Sequence, residues 1–373
     1  MSQLDLGFDP TLFINNFDSC ADQLTQEMLK AVEDWVDPYP AMFSVQMSDT
    51  SQKYPASSAF QKSLRRGFTA HAVYYIEAIY NSFERDYLWM RLPLVVLEDI
   101  GLGNWKLCAY TIHFCRFKKV RDSFENPLKA LHYLIHHLTD GTKSRALSEA
   151  VCLAYFCKHT VPTEEIQYIG DCMAACGWKP DPKESADSPW VNKAPSMARV
   201  DLYKEVADLA EEFPEDRIYI RYCFHAGLKK NTAYQNAAIP HILRLFKETG
   251  ETEIHTHQID PVKRIGKYPD VSYDKHTLIG KKVNGRLGYS KAFPVEFTQR
   301  QLGLCIFQCE SAVIDKELTS KALLAMQKRS YDYELIMVGM SVEDGDKMKD
   351  FLTSESGKAL LFSTRHKVVL QSL

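Results

Sequence analysis

The fold is decided by residues 57–80, which read SSAFQKSLRRGFTAHAVYYIEAIY. Ser57 or Ser58 can accept hydrogen bonds from the free amides that open a helix, and Gly67 can close that helix. Thr69 can open a second helix, whose apolar residues recur on one face: Val73, Ile76 and Tyr80. The pattern therefore predicts two short helices joined as a hairpin.

The chain that follows predicts more helices. The segment from Tyr87 to Leu97 is apolar on nearly all sides, which is typical of a helix at the centre of a bundle. Pro93 removes a backbone hydrogen bond and clashes with the preceding turn, so we expect a kink or break near Leu92. Further amphipathic helices are predicted at Cys108–Phe117, Pro127–Leu138 and Arg145–Cys157. The fold class is therefore mainly α.

Four motifs in this region occur in the order and spacing of a known family. They are SAFQKSLRRG at 58–67, AVYY at 72–75, LEDIGLGN at 97–104 and DGTKS at 140–144. Together they resemble the C-terminal, collar-like oligomerisation region of the replication-associated recombination protein A family (RarA/MgsA), a group of clamp-loader-like AAA+ proteins. The resemblance covers about a quarter of the chain.

The resemblance implies a clamp-loader-like collar whose motif residues serve in interaction: Gln61, Lys62, Ser63, Arg65, Arg66, Glu98, Asp99 and Gly101. A simpler interpretation stays open for the charged members of this set. Charges taken out of water need a partner, so Arg65, Arg66, Glu98 and Asp99 also fit an internal ion pair between two helices.

The family's ATPase domain has no counterpart here. Its phosphate loop, Gly-x-x-x-x-Gly-Lys-Ser/Thr, is absent from the sequence, and only about 50 residues precede Ser57. We therefore expect neither ATP hydrolysis nor a bound nucleotide, and we predict no cofactor. A collar without its motor also fits a virus-encoded accessory protein that acts on host replication.

Composition indicates a globular protein. Of 373 residues, 45% are hydrophobic and 12% aromatic, which is enough to form a core, and the net charge of -3 gives no overall attraction to nucleic acid. The sequence shows neither a secretory signal nor eighteen consecutive apolar residues, so a cytoplasmic protein is expected, in the host cytoplasm if the source is viral. Ten scattered cysteines are predicted to be reduced thiols.

Residues 179–196 form the predicted domain boundary, because they are rich in Pro and Asp and read as a linker or surface loop. The predicted parts are an N-terminal extension (1–50), a collar-like helical domain (51–178), a second helical region (197–250) and a C-terminal region (251–373). The last part combines a basic loop with a small mixed α/β element, in which residues 333–338 and 367–370 look strand-like. Three helices are expected in the second region: Arg199–Phe213, Asp216–Ala226 and Thr232–Glu248.

A basic segment from Val262 to Phe293 interleaves cations, glycines and aromatic rings. Cations neutralise phosphates and rings stack on bases, so this composition suits single-stranded DNA. The alternative is a solvated surface loop whose rings anchor it to the core. The candidate nucleic-acid-binding residues are Lys263, Arg264, Lys267, Lys275, Lys281, Lys282 and Arg286.

One cluster suggests chemistry instead. His255 and His257 would lie on the same face of a strand and, with Asp260, could hold a divalent metal that activates water. The rival hypothesis is therefore a metal-dependent hydrolase or nuclease. No catalytic motif accompanies the cluster, so the favoured expectation is a non-enzymatic accessory protein of DNA replication, recombination or repair. Its expected partners are further copies of itself, replication or repair proteins, and single-stranded DNA, without a membrane.

Overall fold

The computed structural model describes residues 10–39, 53–82, 85–156, 163–177, 197–229, 234–249 and 251–372. It is 72% helical, with 17 α-helices and only small antiparallel sheets, which confirms the predicted fold class. The predicted linker at 179–196 lies outside the described residues.

The hairpin predicted from residues 57–80 is present. Helix α2 spans Lys53–Arg65 and α3 spans Thr69–Tyr80, and the two pack against each other. The first helix starts earlier than predicted because Pro55 falls in its first turn, where the missing amide would have no partner in any case. Gly67 closes the helix with a φ of +71°.

Helix α4 spans Arg85–Asp99 and is the central helix that the sequence predicts. Its buried residues include Leu88, Leu92 and Val96. The break expected near Leu92 is absent, because α4 continues as one helix through Pro93. We attribute this to burial on several sides, which holds the helix in place despite the lost hydrogen bond.

A short 3-10 turn at Gly101–Gly103 leads into the rest of the bundle. Asn104 Oδ1 caps the next helix by accepting from the Leu107 amide, and Thr163 Oγ1 accepts from the Ile166 amide in the same way. The helix predicted at Thr232–Glu248 begins later than expected: Tyr234–Ala238 form a 3-10 turn and the α-helix starts at Ile239, so Pro240 falls in its first turn, where the missing amide costs no hydrogen bond. The remaining helices of the bundle are α1 (Pro10–Asp34), α5 (Trp105–Arg116), α6 (Lys118–Arg121), α7 (Pro127–Asp140), α8 (Ala146–Phe156), α9 (Glu164–Ala175), α10 (Arg199–Ala210), α11 (Arg217–Lys229) and α12 (Ile239–Thr249).

The helices on both sides of the predicted linker share one hydrophobic core. This cluster runs from Ala21 in α1 to Leu243 in α12 and includes Leu323 and Met326 from the C-terminal region. A second, smaller core belongs to the C-terminal region alone and includes Leu302, Leu335 and other apolar residues. The C-terminal region therefore has a core of its own and also contributes Leu323 and Met326 to the core of the bundle.

The C-terminal region contains five helices: α13 (Leu278–Leu287), α14 (Gln299–Ile306), α15 (Lys321–Met337), α16 (Val342–Thr353) and α17 (Glu355–Leu370). Both segments predicted to be strand-like are helical, so those two predictions are wrong. Residues 333–338 continue α15, in which Tyr331 and Leu335 are buried one helical turn apart. Residues 367–370 end α17, with Val368 and Val369 buried.

The strands lie elsewhere. Strand β1 (Glu253–Thr256) pairs antiparallel with β4 (Lys316–Thr319), with Glu253 opposite Thr319. Strands β2 (Arg264–Ile265) and β3 (Tyr268–Pro269) form a minimal hairpin around Gly266, whose φ is +64°. No helix among the described ranges is long and apolar enough to cross a membrane.

Candidate functional site

The predicted interaction residues of α2 and α4 meet inside the protein. Arg65 Nε donates to Asp99 Oδ1 at 2.6 Å, and Gln61 Nε2 donates to Asp99 Oδ2 at 2.8 Å. Arg65 Nη2 also lies 3.3 Å from Glu98 Oε1. Asp99 is fully buried, so its charge depends on these donors. The internal ion pair weighed from the sequence is therefore present.

The two adjacent carboxylates have different electrostatic surroundings. Burial raises the pKa of Asp99 above its ordinary value, although Arg65 opposes the effect. Burial alone would also raise the pKa of Glu98, but Arg65, Arg91 and Arg145 outweigh it and lower that pKa. The ionised form of both carboxylates therefore depends on the arginines around them.

Lys62 connects α2 to the predicted basic segment. Its Nζ donates to Asp274 Oδ2 at 2.6 Å, and both side chains are almost fully buried. Burial lowers the pKa of Lys62 to about 8, although Asp274 opposes the shift. Burial would raise the pKa of Asp274, but the Lys62 ammonium outweighs it and lowers that pKa. The ion pair joins residues 212 positions apart in the sequence.

The end of α2 is bonded to a turn of the C-terminal region. Arg65 Nη1 donates to the carbonyl of Ser311, and Arg66 Nη2 donates to the carbonyl of Glu310. The amide of Asp315 donates to the carbonyl of Arg65 at 2.9 Å. Arg65 and Arg66 therefore both bind backbone carbonyls of the C-terminal region, and Arg65 also binds the Asp99 carboxylate.

Gly67 is required at this junction for two reasons. Its φ of +71° is unfavourable for residues with a side chain, and a Cβ there would lie 2.3 Å from Asp315 Oδ2. Asp315 in turn accepts from the fully buried Lys143, whose Nζ lies 2.8 Å from Asp315 Oδ1. The same Nζ donates to the carbonyls of Thr139 and Gly141 at 2.6 and 2.9 Å.

The turn at 140–144 is also paired through its backbone. The amide of Lys143 donates to Lys316 at 2.9 Å, and Leu318 donates back to Lys143 at 2.8 Å, so the turn borders β4. The amide of Ser144 lies 3.1 Å from the carbonyls of Asp99 and Ile100. Two of the sequence motifs, LEDIGLGN and DGTKS, are therefore in direct contact.

Arg365 on α17 completes the arrangement. This side chain is fully buried, binds both carboxylate oxygens of Glu310 at 3.2 and 2.6 Å, and lies 3.7 Å from Asp270. We call the whole set the charged seam. Its members are Gln61, Lys62, Arg65, Arg66, Glu98, Asp99, Lys143, Asp270, Asp274, Glu310, Asp315 and Arg365.

The charged seam joins the bundle to the C-terminal region. Two of the predicted interaction residues, Ser63 and Gly101, are not members of the charged seam. Ser63 is buried, and its carbonyl accepts from the Phe68 amide at 2.9 Å. Gly101, with a φ of +39°, begins the 3-10 turn after α4.

The predicted basic segment is not a single flexible loop. It contains the β2–β3 hairpin, a 3-10 turn at Asp270–Ser272 and helix α13. Six of the seven candidate cations are exposed on these elements: Lys263, Arg264, Lys267, Lys281, Lys282 and Arg286. Lys275 is half-buried, and its Nζ lies 4.4 Å from the centre of the Phe307 ring beside the charged seam.

Most aromatic rings of the segment pack against the protein, as the surface-loop alternative proposed. Tyr268 stacks on Tyr75 with centroids 5.7 Å apart, and Tyr273 is buried. Phe293 packs edge-on against Phe297 and Phe351. Tyr289 differs, because 88% of it is exposed.

The histidine cluster does not form a ligand set. His255 Nε2 lies 2.8 Å from Glu253 and His257 Nε2 lies 3.5 Å from Glu317, while Asp260 is bonded to Lys358 at 2.8 Å. Within the described ranges, no three His, Cys, Asp or Glu side chains are placed to hold a metal ion. The three residues therefore contact three different partners at the surface.

Sequence reasoning missed half of the charged seam. Glu310, Asp315 and Arg365 carried no local signal, because the side chains that pair with them lie between 55 and 172 residues away. Lys143 was quoted only as part of a motif. Glu310 lies in a π-helical turn at Phe307–Ser311, a rare element that was not predicted from the sequence.

Comparison with known proteins gives no relative: no family, curated protein or solved structure matches this chain.

Proposed function

We propose that this chain is a non-enzymatic accessory protein of DNA replication, recombination or repair. In this proposal the helical bundle acts as a collar-like scaffold that binds copies of itself or replication and repair proteins. The observation that supports it is the meeting of three separate sequence motifs. Residues Gln61 and Arg65, the Glu98–Asp99 pair and the turn at 140–144 form one connected network, although they are scattered in sequence.

The network limits where a partner can bind. The motif side chains are buried and bonded to the chain's own C-terminal region, so they position the bundle rather than contact a second protein. A partner must therefore use other faces. Helix α4 has an exposed apolar residue in its first half, Met90, and α2 has Tyr54, whose ring centroid lies 6.3 Å from that of Tyr87 in α4. Met90 and Tyr54 are each 61% exposed.

Light scattering at tens of micromolar protein tests the scaffold proposal. We expect a mass that is a multiple of 42.7 kDa. Replacing Tyr54 and Met90 by Ser removes the two exposed apolar side chains without touching the core, and the matched control replaces the exposed Leu324 and Ile336 of α15. A wild-type protein that remains monomeric would contradict self-association, and loss of assembly only in the control would contradict this face.

The proposal extends to single-stranded DNA. Lys281, Lys282 and Arg286 lie exposed on α13, where cations can neutralise phosphates, and Tyr289 follows with an exposed ring that could stack on a base. Binding to an oligothymidine without a terminal phosphate, measured by fluorescence anisotropy, should weaken as the salt concentration rises. Each phosphate contact contributes about 0.7 to the slope of log K against log salt.

Two triple variants are compared, each of which lacks three cations on a different surface. Changing Lys281, Lys282 and Arg286 to Ala should lower the salt slope by roughly 2. The control removes the same charge elsewhere, by changing the exposed lysines Lys321, Lys328 and Lys347. Equal loss in both triple variants would indicate that only net charge matters, and binding that does not respond to salt would refute the DNA contact.

A further inference from the structure

A cleft of about 190 Å³ lies between the end of α2 and the C-terminal region. Two sets of sequence-predicted residues meet there, because Lys62, Ser63 and Arg66 line it from the motif side and Lys263 from the basic segment. Apolar residues including Phe362 form other parts of the wall. Pockets for drug-sized ligands usually exceed about 300 Å³, so this cleft suits a small group.

Three carboxylates line the cleft, and two cations are paired with them. Asp260 pairs with Lys358 at 2.8 Å. Glu310 binds Arg365 at 2.6 Å, and Asp270 lies 3.7 Å from the same guanidinium. Lys358 and Arg365 therefore balance two of the three carboxylates, and one negative charge is left for the other cations of the lining, with Asp270 and Glu310 both acting on Arg66.

Two cations of the lining remain. Arg66 Nη2 donates to the carbonyl of Glu310, but Arg66 Nη1 is buried and has no hydrogen-bond partner among the described residues. Lys263 is exposed, with its Nζ 5.7 Å from the centre of the Phe362 ring. In the part of the chain that the structure describes, the ion pairs within 4.0 Å include neither cation. Burial lowers the pKa of Arg66, as expected for a charge without full compensation.

We propose that this cleft binds a phosphate group between Arg66 and Lys263. Guanidinium and ammonium groups are the usual protein partners of phosphate, and a charge-assisted hydrogen bond would supply the acceptor that Arg66 Nη1 lacks. Because Arg66 Nη1 is shielded from solvent, the proposal requires the guanidinium to rotate until Nη1 faces the cleft. The phosphate is either free orthophosphate or the terminal phosphate of a nucleic-acid strand. The site stands independently of the scaffold proposal.

Titration of the full chain with sodium phosphate, against sodium chloride at equal ionic strength, tests the site by calorimetry. We expect saturable phosphate binding that weakens at least tenfold in Lys263→Gln and in Arg66→Gln, since a hydrogen bond to a charged group is worth about 1.5–3 kcal/mol. Lys263 is exposed, so its replacement should leave the fold intact. The matched control is Arg264→Gln, because Arg264 is also exposed but does not line the cleft.

A second arm identifies the source of the phosphate. A 5′-phosphorylated oligothymidine that binds more tightly than its 5′-hydroxyl counterpart, and loses this advantage in Lys263→Gln, would identify a strand end. Equal binding of the two oligonucleotides, together with saturable binding of orthophosphate, would identify the free ion. Wild-type protein that responds to phosphate no more than to chloride would overturn the proposal, as would unchanged binding in both Lys263→Gln and Arg66→Gln.

Discussion

Replacing Arg65 by Met should destabilise the protein strongly. The Arg65 side chain is 3% exposed and lies 2.6 Å from Asp99, which is fully buried. The replacement keeps much of the apolar volume but removes the hydrogen bonds to Asp99 and to the Ser311 carbonyl. Asp99 would then keep only Gln61 as a close donor, with Arg145 3.9 Å away.

The expected cost follows from this burial. Removing one member of a buried ion pair costs about 3–5 kcal/mol, because the other charge stays in a medium that does not solvate it. Arg91 provides the comparison, since it lies 3.9 Å from Glu98 and donates to Gln61 Oε1 at 2.8 Å, but its side chain is 33% exposed and does not contact Asp99. A pair of that kind contributes about 0–1 kcal/mol, so Arg91→Met should have a small effect.

Urea unfolding followed by circular dichroism measures the difference. With a slope of about 3 kcal/mol per molar urea, Arg65→Met should lower the midpoint by roughly 1 M or more, and Arg91→Met by less than about 0.3 M. The double variant Arg65→Met with Asp99→Leu removes both charges and should recover part of the loss. Equal midpoints for Arg65→Met and Arg91→Met would refute the energetic role of the buried pair.

Three further predictions concern other parts of the charged seam. The pKa of Lys62 is about 8 in the folded protein and 10.5 ordinarily, so between these pH values the unfolded state binds more protons than the folded state. The free energy of unfolding should therefore rise with pH in this range. Urea midpoints at several pH values measure this rise, which should be lost in Lys62→Met. Gly67→Ala should lower the thermal midpoint more than Gly266→Ala, since both have positive φ but only Gly67 would clash; equal losses would contradict this. Lys143→Met should lower the free energy of unfolding in urea by about 3–5 kcal/mol, because the Lys143 side chain is fully buried. Lys316→Met should lower it by about 0–1 kcal/mol, because the Lys316 side chain is 42% exposed, and the reverse order would contradict the prediction.

The local helical features were predictable from the sequence because their signals are local. Gly67 ends α2, Thr163 caps α9, and the apolar segment around Leu92 forms the central helix. The two false strands show the limit of this reasoning. Residues 333–338 and 367–370 are short apolar runs, and such runs do not distinguish a strand from part of a longer helix.

The site was only partly predictable for a different reason. The Arg65–Asp99 pair joins neighbouring helices of one hairpin-rich region and could be proposed from charge alone. Glu310 and Arg365 belong to a distant region, and their pairing depends on how the C-terminal helices pack. Patterns in a single sequence carry no information on such contacts, so the cleft between α2 and the C-terminal region could not be predicted either.

The most direct test of the central claim is hydrogen–deuterium exchange in Asp99→Asn, compared with the wild-type protein. The account holds that the charged seam fastens the C-terminal region to the bundle. Exchange should therefore accelerate in α13 and α17 while α5, in the bundle core, keeps its protection. Unchanged exchange in α13 and α17, or equal acceleration of all three helices, would contradict the account.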